Sequence, residues 1–240
     1  MSRNRVIVGA IGLAFGFMVS FFWTRNYNKS PGIPQTKAAG TMPAADSGAA
    51  GQPGQQAAMG SVQQTIDNAK KNPNDFEAQI KAASMYDQIG RAKETVEFLE
   101  KAYSIDPAQA AKMDVPAYIA QYYSSQQNFD QAETWFRREL EVKPDNPDVQ
   151  IELGATFLER QPPNIDKAME YLQAVLKSNP DNAHAMVHLT EAYALKKDAA
   201  SAEKTLNHLK QVEASNQMIP KLQSMVDSLK SGAPVSIPKD

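Results

Sequence analysis

A helix–turn–helix pattern that occurs four times is the feature that most limits what this 240-residue chain can fold into. The stretch NFDQAETWFRREL, residues 128–140, has the apolar spacing of an amphipathic helix and leads into KPDNP, residues 143–147. Proline cannot continue a helix, so this motif ends one helical segment and starts the next. Blocks of the same pattern occupy 76–107, 113–144, 147–180 and 183–215, with starts 37, 34 and 36 residues apart. A recurrence at this interval predicts a repeat protein.

The same residue types recur at matched positions of each block. The first helix carries three small or apolar residues, and the second carries a small residue followed four positions later by a large apolar one, on the same helix face. The first-helix sets are Ala82, Ala83 and Tyr86; Ile119, Ala120 and Tyr123; Leu153, Gly154 and Phe157; and Leu189, Thr190 and Tyr193. The second-helix pairs are Thr95 and Leu99, Ala132 and Phe136, Ala168 and Leu172, and Ala202 and Leu206. These positions predict an all-α fold of packed helical pairs.

These positions, with closing prolines at Pro107, Pro144 and Pro180, resemble the tetratricopeptide repeat (TPR) family, whose period is 34 residues. The resemblance covers about residues 75–215. It implies an α-solenoid in which the first helices line a concave face that holds an extended peptide or a partner helix. The sequence departs from the pattern where AQAAK, residues 108–112, pads a junction, and the fourth block has no closing proline.

Two flanking helices are predicted to cover the ends of the stack, since terminal repeats need covers to stay soluble. Residues 61–72 begin with Ser61 and Gln64 at the spacing of a capping box. Residues 216–232 place an apolar set on one helix face, namely Met218, Leu222, Met225, Val226 and Leu229. The expected solenoid with its caps therefore spans 61–232, and a flexible tail follows over 233–240.

The first thirty residues predict a membrane anchor. Residues 6–23 carry no charge, and as a helix they span roughly 27 Å, close to the ~30 Å hydrocarbon core of a bilayer. Aromatic residues at 21–23 and then Arg25 occupy the place of a signal-peptide cleavage site. The expected first segment is thus an N-terminal tail and transmembrane anchor over 1–29. Since so short a tail has little reason to be translocated, the N-terminus is expected in the cytoplasm and the TPR body outside, on the periplasmic face of a bacterial membrane.

Residues 30–60 predict a disordered linker, because alanine, glycine, proline and glutamine dominate and few apolar side chains are available for a core. Such a linker has a random-coil reach of about 30 Å and tethers the body near the membrane. Gly12 and Gly16 have the spacing at which two membrane helices pack closely, and this predicts a weak homodimer contact as a further hypothesis.

Composition and motifs argue against catalysis. The chain has no cysteine, which excludes disulfides, thiolate zinc sites and cysteine nucleophiles. Of its 25 basic residues four lie in the first thirty, which leaves 21 against 27 acidic residues in the rest, so nucleic acid is not the expected partner. No phosphate loop or hydrolase motif occurs, and no catalytic residue, cofactor or resident metal is expected. One minor alternative is a divalent metal at His184 and His188, with Glu191 one turn further along.

The TPR resemblance places the partner-binding groove on exposed first-helix positions. The expected groove residues are Glu77, Ile80, Ser84, Asp87, Asp114, Ala117, Gln121, Ser124, Ile151, Ala155, Leu158, His184, Val187, Glu191 and Leu195. This set is polar and acidic in the first two blocks and more apolar in the last two, which suits a helix or an extended apolar peptide. It lacks the lysine–asparagine set with which chaperone-binding members hold a C-terminal carboxylate, so a chaperone adaptor is disfavoured.

Anchor, linker and repeats together predict a membrane-anchored, non-catalytic TPR adaptor or scaffold that binds partner proteins at the membrane. The same layout resembles the membrane-bound TPR factors of bacterial cytochrome c biogenesis. Those factors hold apocytochrome outside the cytoplasmic membrane, and a similar role is the alternative prediction.

Overall fold

The computed structural model describes residues 53–233, and every regular element in that range is an α-helix. The helices are α1 (Pro53–Lys71), α2 (Phe76–Gln88), α3 (Ala92–Ile105), α4 (Pro107–Lys112), α5 (Val115–Ser125), α6 (Phe129–Val142), α7 (Pro147–Glu159), α8 (Ile165–Ser178), α9 (Ala183–Leu195), α10 (Ala199–Val212) and α11 (Ile219–Ser231). Over this range none of the helices has the length and apolar character needed to cross a bilayer. The predicted anchor at 6–23, the Gly12/Gly16 contact, linker residues 30–52 and tail residues 234–240 lie outside the described residues.

The chain divides into two compact units between Asp106 and Pro107. In the first unit, α2 packs against α3 as one helical pair and α1 packs on α2. In the second unit, three pairs follow, α5 with α6, α7 with α8 and α9 with α10, and α11 packs on α9 and α10. These four pairs are the four blocks predicted from the sequence, so the all-α TPR architecture is confirmed.

The matched residues of the repeat form the core of each pair. All eight second-helix positions are buried, and so are the first-helix sets except Tyr123 and Tyr193, which are half-buried. In the third pair a glycine lies where the two helices meet. A Cβ atom on Gly154 would lie 3.0 Å from Cγ of Leu172, closer than side chains normally pack. A larger residue at this position would therefore require the Leu172 side chain to shift by a few tenths of an ångström.

The turns between blocks show why proline and asparagine recur there. Helices α3, α6 and α8 each end two residues before Pro107, Pro144 and Pro180. The side chain of Asn146 then accepts from backbone N–H groups of α7, and Oδ1 of Asn182 accepts from the backbone N–H of the third residue after it at 2.9 Å. These bonds satisfy N–H groups that lack a partner in the first turn of a helix. The motif ends one helix and caps the next.

The structure fixes the two capping helices and the padded junction between the first two blocks. The N-terminal cap begins at Pro53, so the prediction that it starts at Ser61 and that the linker extends to residue 60 is wrong. Alanine and glutamine between 55 and 58 are good helix formers, and proline is tolerated at a first helical position. The padding at 108–112 forms the short helix α4, which packs on α5 and α6. In α11 the expected apolar face is buried or half-buried, and Gly232 ends the helix at φ 75°.

Candidate functional site

In the second unit the first helices of the three pairs lie side by side, α7 contacting both α5 and α9. Their second helices cover one side, and a row of polar side chains occupies the other. We define the first-helix face by Gln121 and Ser124 of α5, Asp148, Glu152 and Glu159 of α7, and His184 and His188 of α9. On α7 these residues fall at i, i+4 and i+11, which is a single stripe along a helix.

The predicted groove overlaps this face only in part. Seven of the expected groove residues are buried, namely Ile80, Ala117, Ile151, Ala155, Leu158, Val187 and Glu191, so their predicted exposure is wrong. Glu77 and His184 are exposed, and Ser84, Asp87, Asp114, Gln121, Ser124 and Leu195 are half-buried. In the third block the predicted stripe is one residue out of register. A shift of one residue rotates the side-chain direction by about 100° around the helix axis. Except for the half-buried Leu195, the apolar side chains predicted for the last two blocks belong to the core, and the face there carries charged residues.

A hydrogen-bonded chain of three side chains runs along α9. Nδ1 of His188 lies 2.8 Å from Oε2 of Glu191, and Nε2 of His188 lies 3.2 Å from Nε2 of His184. The Glu191 side chain is almost fully buried beneath His188. Two ring nitrogens at this separation need one proton between them, so one imidazole donates and the other accepts. The two histidines can therefore carry one positive charge between them and keep this hydrogen bond.

The two histidines respond differently to this arrangement. Burial opposes a charge on His188, but the hydrogen bond that His188 donates to Glu191 and the charges of Glu191, Glu152 and Glu159 outweigh it and raise the pKa of His188. Desolvation and the neighbouring charge of His188 lower the pKa of His184 to about 4, and the exposure of the His184 ring moderates this effect. At neutral pH any imidazolium on this face is therefore His188.

The same geometry disfavours the metal alternative at His184 and His188. Glu191 binds Nδ1 of His188, on the side of the ring away from the two facing Nε2 atoms, so it does not supply a third ligand beside them. Within residues 53–233, no three histidine or acidic side chains are grouped so that they could hold a metal ion.

The α5 part of the face is held to α7 by hydroxyl groups. Oγ of Ser124 lies 3.2 Å from Oγ1 of Thr156, which is buried and donates to the backbone carbonyl of Glu152 at 2.8 Å. Sequence reasoning identified Ser124 but missed Thr156, Glu152 and Glu159. All three follow Asp148 at helical spacing, at residues 152, 156 and 159. Each lies one position after an apolar residue of the predicted groove.

Asp114, another predicted groove residue, is engaged within the fold. Its backbone is left-handed at φ 58°, and its Oδ1 accepts from Nζ of Lys143 at 2.7 Å. The same ammonium lies 2.8 Å from Oε1 of Glu139, whose side chain is fully buried. Apart from this ion pair, both Glu139 oxygens lack a hydrogen-bond donor among the described residues. Burial therefore raises the pKa of Glu139 to about 7 against the opposing effect of Lys143.

Comparison with protein families identifies the repeat. One family model described as Tetratricopeptide repeat matches residues 164–224, and a second with the same description matches 76–109 and 119–146. The matches reach all four helical pairs. The chain belongs to the tetratricopeptide repeat family. Comparison with curated proteins finds no significant match.

Solved structures share this fold at low sequence identity. A crystal structure of MamA matches with a TM-score of 0.55 and 18% identity, over 69% of this chain and 97% of that one. YrrB, described as a TPR protein with an unusual peptide-binding site, matches with a TM-score of 0.51 and 14% identity, over 71% and 94%. A tetratricopeptide repeat protein from Parabacteroides merdae ATCC 43184 matches with a TM-score of 0.59 and 15% identity, over 65% and 60%. At these identities the likeness concerns the fold.

Proposed function

We propose that this chain is a membrane-anchored TPR adaptor that binds a partner protein on its first-helix face and performs no chemistry itself. The observation that carries the proposal is the row of polar side chains along α5, α7 and α9, on the side that the second helices leave uncovered. Stacked helical repeats offer extended surfaces of this kind, and YrrB is described as having a peptide-binding site on the same fold.

Photo-crosslinking in living cells tests the location of this binding surface. A crosslinking residue at Gln121, which is half-buried on the first-helix face, is expected to give discrete adducts with the full chain. The matched control places the same residue at Lys177, which is exposed on second helix α8. Adducts from Lys177 with none from Gln121 would move the binding surface to the second helices and contradict the proposal.

We also propose that residues 6–23 anchor the protein with its N-terminus in the cytoplasm and its repeats outside. The support is the uncharged run itself and the aromatic residues at its end. Protease added to intact spheroplasts is expected to degrade the repeat region, while a cytoplasmic marker protein survives. If the repeat region survives until the membrane is broken, the orientation is reversed, and the cytochrome c assembly alternative fails with it.

A further inference from the structure

Glu152 occupies an unusual position on the first-helix face. It lies on α7, opposite His188 of α9, and is half-buried. Its carboxylate makes neither a hydrogen bond nor an ion pair with any side chain of the part of the chain that the structure describes. Burial raises the pKa of Glu152, and the neighbouring charges of Glu159 and Asp148 add to this effect, while His188 opposes it. A half-buried carboxylate without a donor keeps only part of its hydration, and a cation from outside the fold would compensate its charge.

The residues around Glu152 also carry mainly negative charge. Asp148, Glu159 and the buried Glu191 add three carboxylates within the same two helices. His184 is neutral at pH 7, and among the described groups that shift the pKa of Glu152 only His188 acts as a positive charge. The α7–α9 part of the face is therefore negative at neutral pH. A negative surface attracts a positive partner and repels a negative one.

We propose that the α7–α9 part of the first-helix face binds a positively charged segment of a partner protein, and that a lysine or arginine of this segment pairs with Glu152. The proposal rests on the proposed function, because it assumes that the partner binds on this face. It replaces the apolar peptide that the sequence pattern suggested with a cationic one.

The dimensions of the stripe suit a peptide segment. Asp148 and Glu159 lie eleven residues apart on α7, which is about 16 Å at the helical rise. This length matches three turns of a partner helix or about five residues of an extended peptide. An arginine can donate to both oxygens of one carboxylate, and a lysine offers three donors, so either supplies what Glu152 lacks.

Binding of designed peptides to the full chain in detergent micelles tests the proposal. The probes are two fluorescent amphipathic 14-residue helices, one with leucine and lysine and the other with leucine and glutamate at the same positions. We expect the lysine peptide to bind and the glutamate peptide not to bind. Glu152→Gln is expected to weaken binding of the lysine peptide about tenfold, which is the size of one lost charge-assisted hydrogen bond.

Glu170→Gln is the matched control, because Glu170 is exposed on α8 of the same helical pair and loses the same charge. It is expected to leave the affinity unchanged. Asp148→Asn, on the same stripe as Glu152, is a second test that does not depend on the folding of the first variant, and it is expected to weaken binding. Equal affinity for the two peptides, or an equal loss in the Glu152→Gln and Glu170→Gln variants, would overturn the proposal.

The crosslinked partner separates the failure of this inference from that of the proposed function. Adducts at Gln121 that map to an acidic or uncharged segment of the partner would leave the adaptor function standing and contradict the cationic segment. Adducts only from second helices would remove both. A crosslinked segment rich in lysine or arginine supports both.

Discussion

Glu139→Gln is expected to reduce the fall in stability that the wild-type chain shows between mildly acidic and mildly alkaline pH. The pKa of Glu139 is raised from 4.5 to about 7 in the folded protein. A carboxyl whose pKa is raised by folding contributes stability below its unfolded pKa, and this contribution is lost as the pH rises through the folded pKa. The loss between pH 4.5 and pH 7 or above corresponds to roughly 3 kcal/mol.

Urea unfolding of the full chain at several pH values, followed by circular dichroism, measures this effect. Glu141→Gln is the control, because Glu141 is exposed two residues further along α6. His188 and Glu152 also have raised pKa values and change stability in the same direction, so the quantity to compare is the difference between wild type and Glu139→Gln at each pH. A difference that stays constant from pH 4.5 to pH 8 would show that Glu139 is not the titrating group.

Leu172→Ala is expected to destabilise the second unit by about 2–5 kcal/mol, because Leu172 is fully buried and its loss leaves a cavity between α7 and α8. In the wild type, Gly154→Ala is expected to destabilise as well, since its Cβ would lie 3.0 and 3.2 Å from Cγ and Cδ2 of Leu172. In the Leu172→Ala background the obstacle is gone. There, Gly154→Ala is expected to raise the free energy of unfolding by about 0.5–1 kcal/mol, because alanine is more favourable than glycine inside a helix.

A double-mutant cycle on these two positions checks the reversal of sign. Gly60→Ala is the control for helix propensity, since Gly60 lies within α1 and an added Cβ would meet no atom within 4 Å. It is expected to stabilise its helix. If Gly154→Ala changes stability by the same amount with and without Leu172, the contact between them is not what selects glycine at this position.

The repeat architecture was predictable because several independent residue patterns in each block indicate the same helical pair. A small residue at Ala132 or Ala168, a large one four positions later and a proline two residues beyond the helix end all agree on the same helical pair. Local pattern and tertiary packing coincide at these positions. The N-terminal cap was less well defined, because the residues before Ser61 resemble a linker in composition and yet form a helix.

The candidate site was harder to predict, since it depends on the direction of side chains on one helix. Ile151 and Glu152 are neighbours in sequence, yet one is core and the other faces out. Pairing across the fold is also invisible in the sequence. Lys143 and Asp114 are 29 residues apart and meet only because the first and second helices of the block bring their ends together.

Helix α7 carries two sets of residues with separate tasks. Leu153 and Phe157 are buried in the core of the pair, while Glu152 is half-buried and Glu159 is exposed on the first-helix face. Because the outward set does not fill the core, substituting it changes folding stability less than substituting Leu153 or Phe157. Descendants of this chain can exchange one ligand for another through a few surface changes, and an engineer can do the same, while the scaffold that presents those residues is left intact.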